Sequence, residues 1–173
     1  MGRIRTNILL FGTLSAAMVG CVKQPVAPLP SSVNADSISE DQPPVDGEKA
    51  RVISDLIVDD LIHDRRHKLR ERMEKGFREY YDEESMGTIV DLMFDTYGKP
   101  LEAEYKIDEG GWKTALGGYS KPMRKFWYAA RTTKHKKGTH FITVEIVPDE
   151  GGLASSGYAI VTFPLGVVPD NLK

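Results

Sequence analysis

The hydrophobic pattern of this 173-residue chain changes period near Pro100, and that change limits the possible folds more than any other feature. Upstream, Val52, Ile53, Leu56, Ile57, Leu61 and Ile62 recur at helical spacing, and the stripe continues through Leu69, Met73, Phe77 and Tyr80. No proline interrupts residues 45–99. The spacing therefore predicts one long helix starting at Asp46-Gly47, or two helices with a break near residues 64–67. A shorter helix is expected next, capped by Ser85, with Ile89, Leu92, Met93 and Tyr97 on its apolar face and Gly98 and Pro100 ending it. Downstream, Leu101, Ala103, Tyr105 and Ile107 alternate with Glu102, Glu104 and Lys106, the two-residue period of a half-buried strand. Residues 108–111 read as a turn and 112–116 as a short strand broken by Gly117-Gly118. Residues 123–133, 139–147 and 153–163 read as three more strands, joined by turns at 134–138 and 148–152. The tail after residue 163 is expected to lie along the surface.

Helices followed by an antiparallel meander define an α+β class. The expectation is a single domain over residues 48–173, with N-terminal helices packed on a curved antiparallel sheet of about four strands. The order and lengths of these elements are similar to the cystatin-like roll, also seen in nuclear-transport-factor-like domains. That resemblance is one of layout, carried by no diagnostic motif. It implies a sheet curved around a helix with a pocket at its open end, lined by Tyr105, Phe126 and Tyr128 with help from Trp112.

The chain opens MGRIRTNILLFGTLSAAMVGC. Arg3 and Arg5 precede an uncharged, mostly apolar run over residues 8–19. A run of that length falls short of the about 20 helical residues needed to cross a bilayer core, and matches a secretory h-region. Met18, Val19, Gly20 and Cys21 follow, and here the chain resembles the lipobox of bacterial lipoprotein signal peptides. Met18 stands where Leu is commoner and Val19 where a small residue is commoner, while Gly20 and Cys21 match. The resemblance implies a signal peptide over residues 1–20, cleavage between Gly20 and Cys21, a diacylglycerol thioether on Cys21 and acylation of the new amino terminus by a palmitate-type chain. Two or more acyl chains make membrane attachment stable. Val22 stands where an Asp would favour inner-membrane retention, so by the same resemblance the outer membrane is favoured, with the domain in the periplasm. Cys21 is the only cysteine, so no disulfide forms within the chain.

Residues 21–47 then form the expected tether. Five prolines, several serines and four acidic residues in 22–47 leave little apolar surface to offset ordering entropy. A coil of that length spans about 25–30 Å and lets a domain search near a surface.

Candidate chemistry is sparse. His63 and His67, in the run HDRRH, stand four apart as in the zinc-protease pattern His-Glu-x-x-His. Asp64 is a methylene shorter than the Glu of that pattern, Arg65 and Arg66 put positive charge beside the would-be cation, and no third ligand follows at a recognisable spacing. The run reads as an ion-paired helix surface, and neither metal nor cofactor is expected. Residues 121–137 hold seven Lys or Arg and no acid, interleaved with Phe126, Trp127 and Tyr128, a pattern able to bind phosphates or anionic glycans. On a strand, however, Phe126 and Tyr128 face one way while Lys125, Trp127 and Arg131 face the other, and residues 134–137 become a cationic hairpin tip. The formal charge of −2 becomes −4 once Arg3 and Arg5 are removed, which gives no basis for nucleic-acid binding. Glu102 and Glu104 share one water-facing side of a strand, His135 and His140 flank the hairpin tip, and no nucleophile elbow or phosphate loop is present. No catalytic residue is expected. The expectation is a lipid-anchored envelope protein, an accessory or scaffold component of an envelope assembly that meets a protein partner. Trp112, Tyr119, Arg124, Trp127 and Arg131 are the contact candidates. The alternative is a periplasmic ligand-binding module using the Tyr105, Phe126 and Tyr128 pocket.

Overall fold

Asp46 starts the first helix as its chemistry predicts: the carboxylate accepts from the Glu48 and Lys49 amides at 3.0 and 3.2 Å. A computed structural model describes residues 44–114, 120–134, 138–164 and 166–173. Gly20, Cys21, most of the expected tether, Tyr119 and His135 lie outside the described residues. The architecture is α+β, with helices preceding the sheet: α1 (Gly47–Ile62), α2 (Arg66–Glu71), α3 (Lys75–Tyr80) and α4 (Glu83–Tyr97), then β1 (Pro100–Thr114), β2 (Ser120–Thr132), β3 (Thr139–Asp149) and β4 (Gly152–Phe163). A 3-10 turn at Asp170–Leu172 ends the chain. Val45, ahead of α1, is already buried, so packing reaches back past the boundary expected at residue 48.

The helical stripe is split near residues 64–67, where the pattern allowed a break, and again between Glu71 and Lys75, where one was not expected and where the segment bridges to Ser155 of the sheet. α1 ends at Ile62, His63 caps it, and Asp64 takes a positive φ of 56°. Behind that corner the Asp60 carboxylate is buried and receives the Nε of Arg65 and of Arg72, each at 2.6 Å. Two guanidinium groups from beyond the break thus converge on one acid before it and fix the turn. α4 is capped by Asp82 rather than Ser85, because the carboxylate accepts from the Ser85 amide at 2.8 Å. At its other end Gly98 takes a φ of 86°, and a Cβ there would sit 2.6 Å from the Lys134 amide nitrogen. Only glycine fits.

The strands form one antiparallel meander in the order β1-β2-β3-β4. Its core face carries Phe126 and Tyr128 of β2, Ile142, Val144 and Ile146 of β3, and Ile160 of β4. These pack against Ala50, Ile57, Val58 and Leu61 of α1, with Leu69, Met73, Met86 and Val90 completing the cluster. Residues 108–111 are extended, not a turn: β1 pairs continuously with β2 from Ile107↔Trp127 to Thr114↔Ser120, and ladder bonding overrides local turn propensity. Bulges interrupt β1 between Pro100 and Glu102 and between Tyr105 and Ile107. The second moves Ile107 to the side opposite Tyr105 and brings Asp108 to the core side.

Both ends of the sheet are tied down. At the β4 edge, Ser155 donates to the Arg72 carbonyl and accepts from the Glu74 amide, each at 2.8 Å, forming a parallel bridge to the segment between α2 and α3. From β1, Lys113 reaches Glu145 of β3 at 2.7 Å and the Ser156 carbonyl of β4 at 3.1 Å, while Lys121 of β2 reaches Glu74 at 2.6 Å. These contacts span two or three strands, so the distal part of the β1–β2 hairpin bends over the face away from the helices.

Candidate interaction surface

Strand alternation decides which side chains the outer face presents. Phe126 and Tyr128 point at α1, so Trp127 points away from it, paired with Ile107 of β1 and Thr143 of β3. The same register puts Ala129 beside Phe141, and Phe141 beside Val161. An aromatic ladder results. Trp127 and Phe141 meet edge-on with centroids 6.4 Å apart, and Phe141 meets Phe163 edge-on at 5.6 Å. Phe141 is 1% exposed, and Trp127, Val161 and Phe163 are half-buried. Charge borders this apolar band. Trp127 donates its indole N–H to Glu109 at 3.0 Å, Lys125 sits 4.8 Å from the Trp127 ring centroid, and Glu145 takes Lys113 on one oxygen. Below, Arg131 binds Glu102 through two nitrogens at 2.5 and 3.1 Å. A shallow depression of about 460 Å³ opens there, between Glu102, Glu104, Ala129, Arg131 and Thr139.

The contact candidates read from sequence divide between two faces. Trp127 and Arg131 share the outer one. Arg124 and Trp112 belong to the opposite side of the β1–β2 hairpin, where Trp112 is 50% exposed and Arg124 is engaged by Asp108. Of the residues expected to line a pocket, Phe126 and Tyr128 are packed in the core against α1, and Tyr105 is half-buried beside them.

Around Tyr105 and Tyr128 a polar network locks α1 to the sheet. The Tyr128 hydroxyl donates to Asp55 at 2.7 Å and lies 2.8 Å from Ser54 Oγ. Arg51 binds Asp55 at 2.7 Å, and its guanidinium lies 3.4 Å from the Tyr105 ring centroid. Tyr105 donates to Asp108, which also receives Arg124. Burial pushes the Tyr128 hydroxyl well above the ordinary phenol range. Burial pushes Asp108 up as well, but the hydrogen bonds from Tyr105 and Arg124 outweigh it and hold the carboxyl below its usual range. The network positions α1 against the sheet.

The histidine run is spent on structure. His63 contacts Asp59 at 3.0 Å, His67 contacts Glu71 at 3.5 Å, and Arg66 bridges Asp64 and Asp91, tying the α1–α2 corner to α4. His140 is buried, with Nδ1 2.8 Å from Thr162 Oγ1. Among the described residues no cluster of three His, Cys, Asp or Glu could hold a metal, and no helix is long and apolar enough to cross a membrane.

The sequence signal for the ladder's second half is in β3, where Phe141 and Val147 are apolar at the parity opposite Ile142, Val144 and Ile146, with Thr143 and Glu145 between them. Apolar residues on both parities mark a strand with apolar cover on both faces. No family model, curated protein or solved structure matches the chain.

Proposed function

We propose that this chain is a lipid-anchored envelope protein that serves as an accessory or scaffold component of an envelope assembly, binding a protein partner through the outer face of its sheet. The observation that carries the reading is the aromatic ladder of Trp127, Phe141 and Phe163, on the sheet face opposite the helices and bordered by charge. An apolar, aromatic centre with a polar rim is the anatomy of a protein-binding surface. The lipobox-like run ending at Cys21 supports membrane attachment, with the outer membrane favoured.

Two measurements test this. Metabolic palmitate labelling should mark the wild-type chain and disappear in Cys21→Ser; persistent labelling of that variant would end the lipid reading. Brief cross-linking of envelopes, followed by affinity purification and mass spectrometry, should recover a partner at comparable abundance. Trp127→Ala should lower that recovery about tenfold, the loss typical of a buried aromatic anchor. Recovery unchanged by Trp127→Ala would rule out the ladder as the contact.

A further inference from the structure

α4 is under-packed for its composition. It runs 15 residues, yet only Met86 and Val90 are buried, while Met93, Phe94 and Tyr97 pack partly against the core. Ile89 and Leu92, three positions apart and so neighbours on one flank, remain 37% and 60% exposed. Arg66 of α2 meets the helix at the Gly87 carbonyl and at Asp91. At about 100° per residue that side lies nearly opposite the flank of Ile89 and Leu92, so α2 does not cover it. Thr88 and Thr96 border the flank and donate their hydroxyls to the Glu84 and Leu92 carbonyls at 3.1 and 2.7 Å, so they add little free polarity to it. Charge runs alongside. α4 carries Glu83, Glu84, Asp91 and Asp95 and no lysine or arginine. Glu84, Asp91 and Asp95 fall in one row beside the apolar flank. The cations that approach are committed, Arg66 to Asp64 and Asp91, and Lys134 to the Asp95 carbonyl. Among the described residues neither the Glu84 nor the Asp95 carboxylate has an ion pair. They stand about 16 Å apart along the helix axis, one at each end of the flank.

We infer that the exposed flank of α4 is a docking surface for a basic amphipathic helix of a protein partner, whose apolar side chains cover Ile89 and Leu92 and whose lysines or arginines meet Glu84 and Asp95. Charge selects this occupant over the alternatives. A second copy in a two-fold contact would set the acid row of one helix against the acid row of the other. A bilayer with anionic headgroups repels the same row. Residues 22–43 of the chain carry Asp36, Glu40 and Asp41 against Lys23 alone, so they too would bring acid to acid. A helix with lysine or arginine beside its apolar stripe satisfies both the flank and the row. Exposed charge pairs each contribute little, so contact with Ile89 and Leu92 holds the complex, and the acids set its register and the choice of partner. This surface belongs to the helical layer, away from the aromatic ladder of the outer sheet face. A scaffold that joins two partners needs two separate surfaces, and the α4 contact stands whether or not the outer face binds one.

The test replaces Leu92 of the full chain with a photoreactive diazirine amino acid, irradiates intact cells, and identifies the cross-linked peptides by mass spectrometry. The expected adduct is a segment of another protein with apolar residues at three- and four-residue spacing and lysine or arginine between them. Ile89→Ser should lower its yield about tenfold, and Glu84→Gln combined with Asp95→Asn about fivefold, each at an unfolding midpoint close to the parent's. An adduct to a second copy, to lipid or to residues 22–43 would overturn the inference, as would an acidic segment or no adduct at all. A yield that neither set of substitutions changes would overturn it too. A midpoint of Ile89→Ser that falls as far as that of Val90→Ala would make the flank part of the core, with the same consequence. Trp127→Ala should leave the adduct in place, and its loss there would tie the contact to the outer face and end the case for α4 as a separate surface.

Discussion

The Tyr128 hydroxyl of β2 lies 2.7 Å from the Asp55 carboxylate of α1, across 73 positions of sequence. The same oxygen meets Ser54 Oγ, which is fully buried. Tyr128→Phe keeps the ring in the core and removes only these bonds, leaving a buried serine hydroxyl short of a partner. The expected cost is about 1–2 kcal/mol. Urea denaturation should show a lower midpoint at unchanged slope. An unchanged midpoint would mean that α1 is seated by apolar packing alone.

Asp60 is the one carboxylate in the described domain with its side chain only 1% exposed and two arginines upon it. Asp60→Ala leaves both guanidinium groups without their shared acid. Arg65 and Arg72 remain 35% and 28% exposed, so water screens part of the loss. The expected destabilisation is about 2–3 kcal/mol, below the 3–5 kcal/mol of a fully buried pair. Proteolysis should meanwhile cut first within residues 62–74, the corner these bonds secure.

Acid should weaken the fold through groups whose carboxyls are held low. Hydrogen bonds and charge lower Asp59 beside Arg65 and Asp91 beside Arg66, and they lower Asp108 against its burial. A folded value below the unfolded one contributes stability that is complete above about pH 4 and is lost as pH falls through the folded value. Stability is therefore expected to fall progressively below about pH 4, and Asp108→Asn should flatten part of that fall. Parallel curves for the two proteins would show that Asp108 does not drive it.

Base acts on the opposite sign. Burial raises Tyr128 and Tyr158 far above the ordinary phenol value. Their contribution is complete below about pH 10 and is lost as pH rises beyond the unfolded value. Absorbance titration of the seven tyrosines separates those that ionise with the fold intact from those that do not. Tyr128 and Tyr158 should ionise only as the fold opens, in step with loss of near-ultraviolet circular dichroism. A single smooth titration with the fold intact would contradict their burial.

Gly98 offers a local test of the α4–β1 junction. Alanine there meets both a left-handed backbone and the Lys134 amide 2.6 Å from its Cβ. The expected loss is about 2–4 kcal/mol, more than backbone strain alone accounts for. Thermal unfolding that shifts by less than the strain alone predicts would mean that the β2–β3 connection yields.

Much of the secondary structure was legible because its cues are local. Asp46 before a helical stripe, Gly98 before Pro100, and the two-residue alternation from Leu101 each carry their meaning within a few residues. What escaped depends on partners distant in sequence. Asp108 to Gly111 has turn composition, yet it is extended because β2 supplies a continuous ladder beside it. The bulge after Tyr105 breaks the apparent Leu101-to-Ile107 stripe and sends Ile107 to join Trp127. The ladder itself needs Phe141 and Phe163 in register with β2, a relation that composition around residue 127 does not contain. Alternation within β2 was readable, and it correctly separated Phe126 and Tyr128 from Trp127. What it could not give was the identity of the neighbours on each side.

The bridge between Met73 and Ser155 bears on self-association. A sheet that propagates from copy to copy needs an open margin on each side, so that every addition leaves a fresh one. Here the β4 margin is occupied at Ser155 by the segment between α2 and α3, and the β1 margin is broken by two bulges. Backbone pairing between copies would meet an obstruction on either side, so the domain can be crowded on a surface without seeding a fibre.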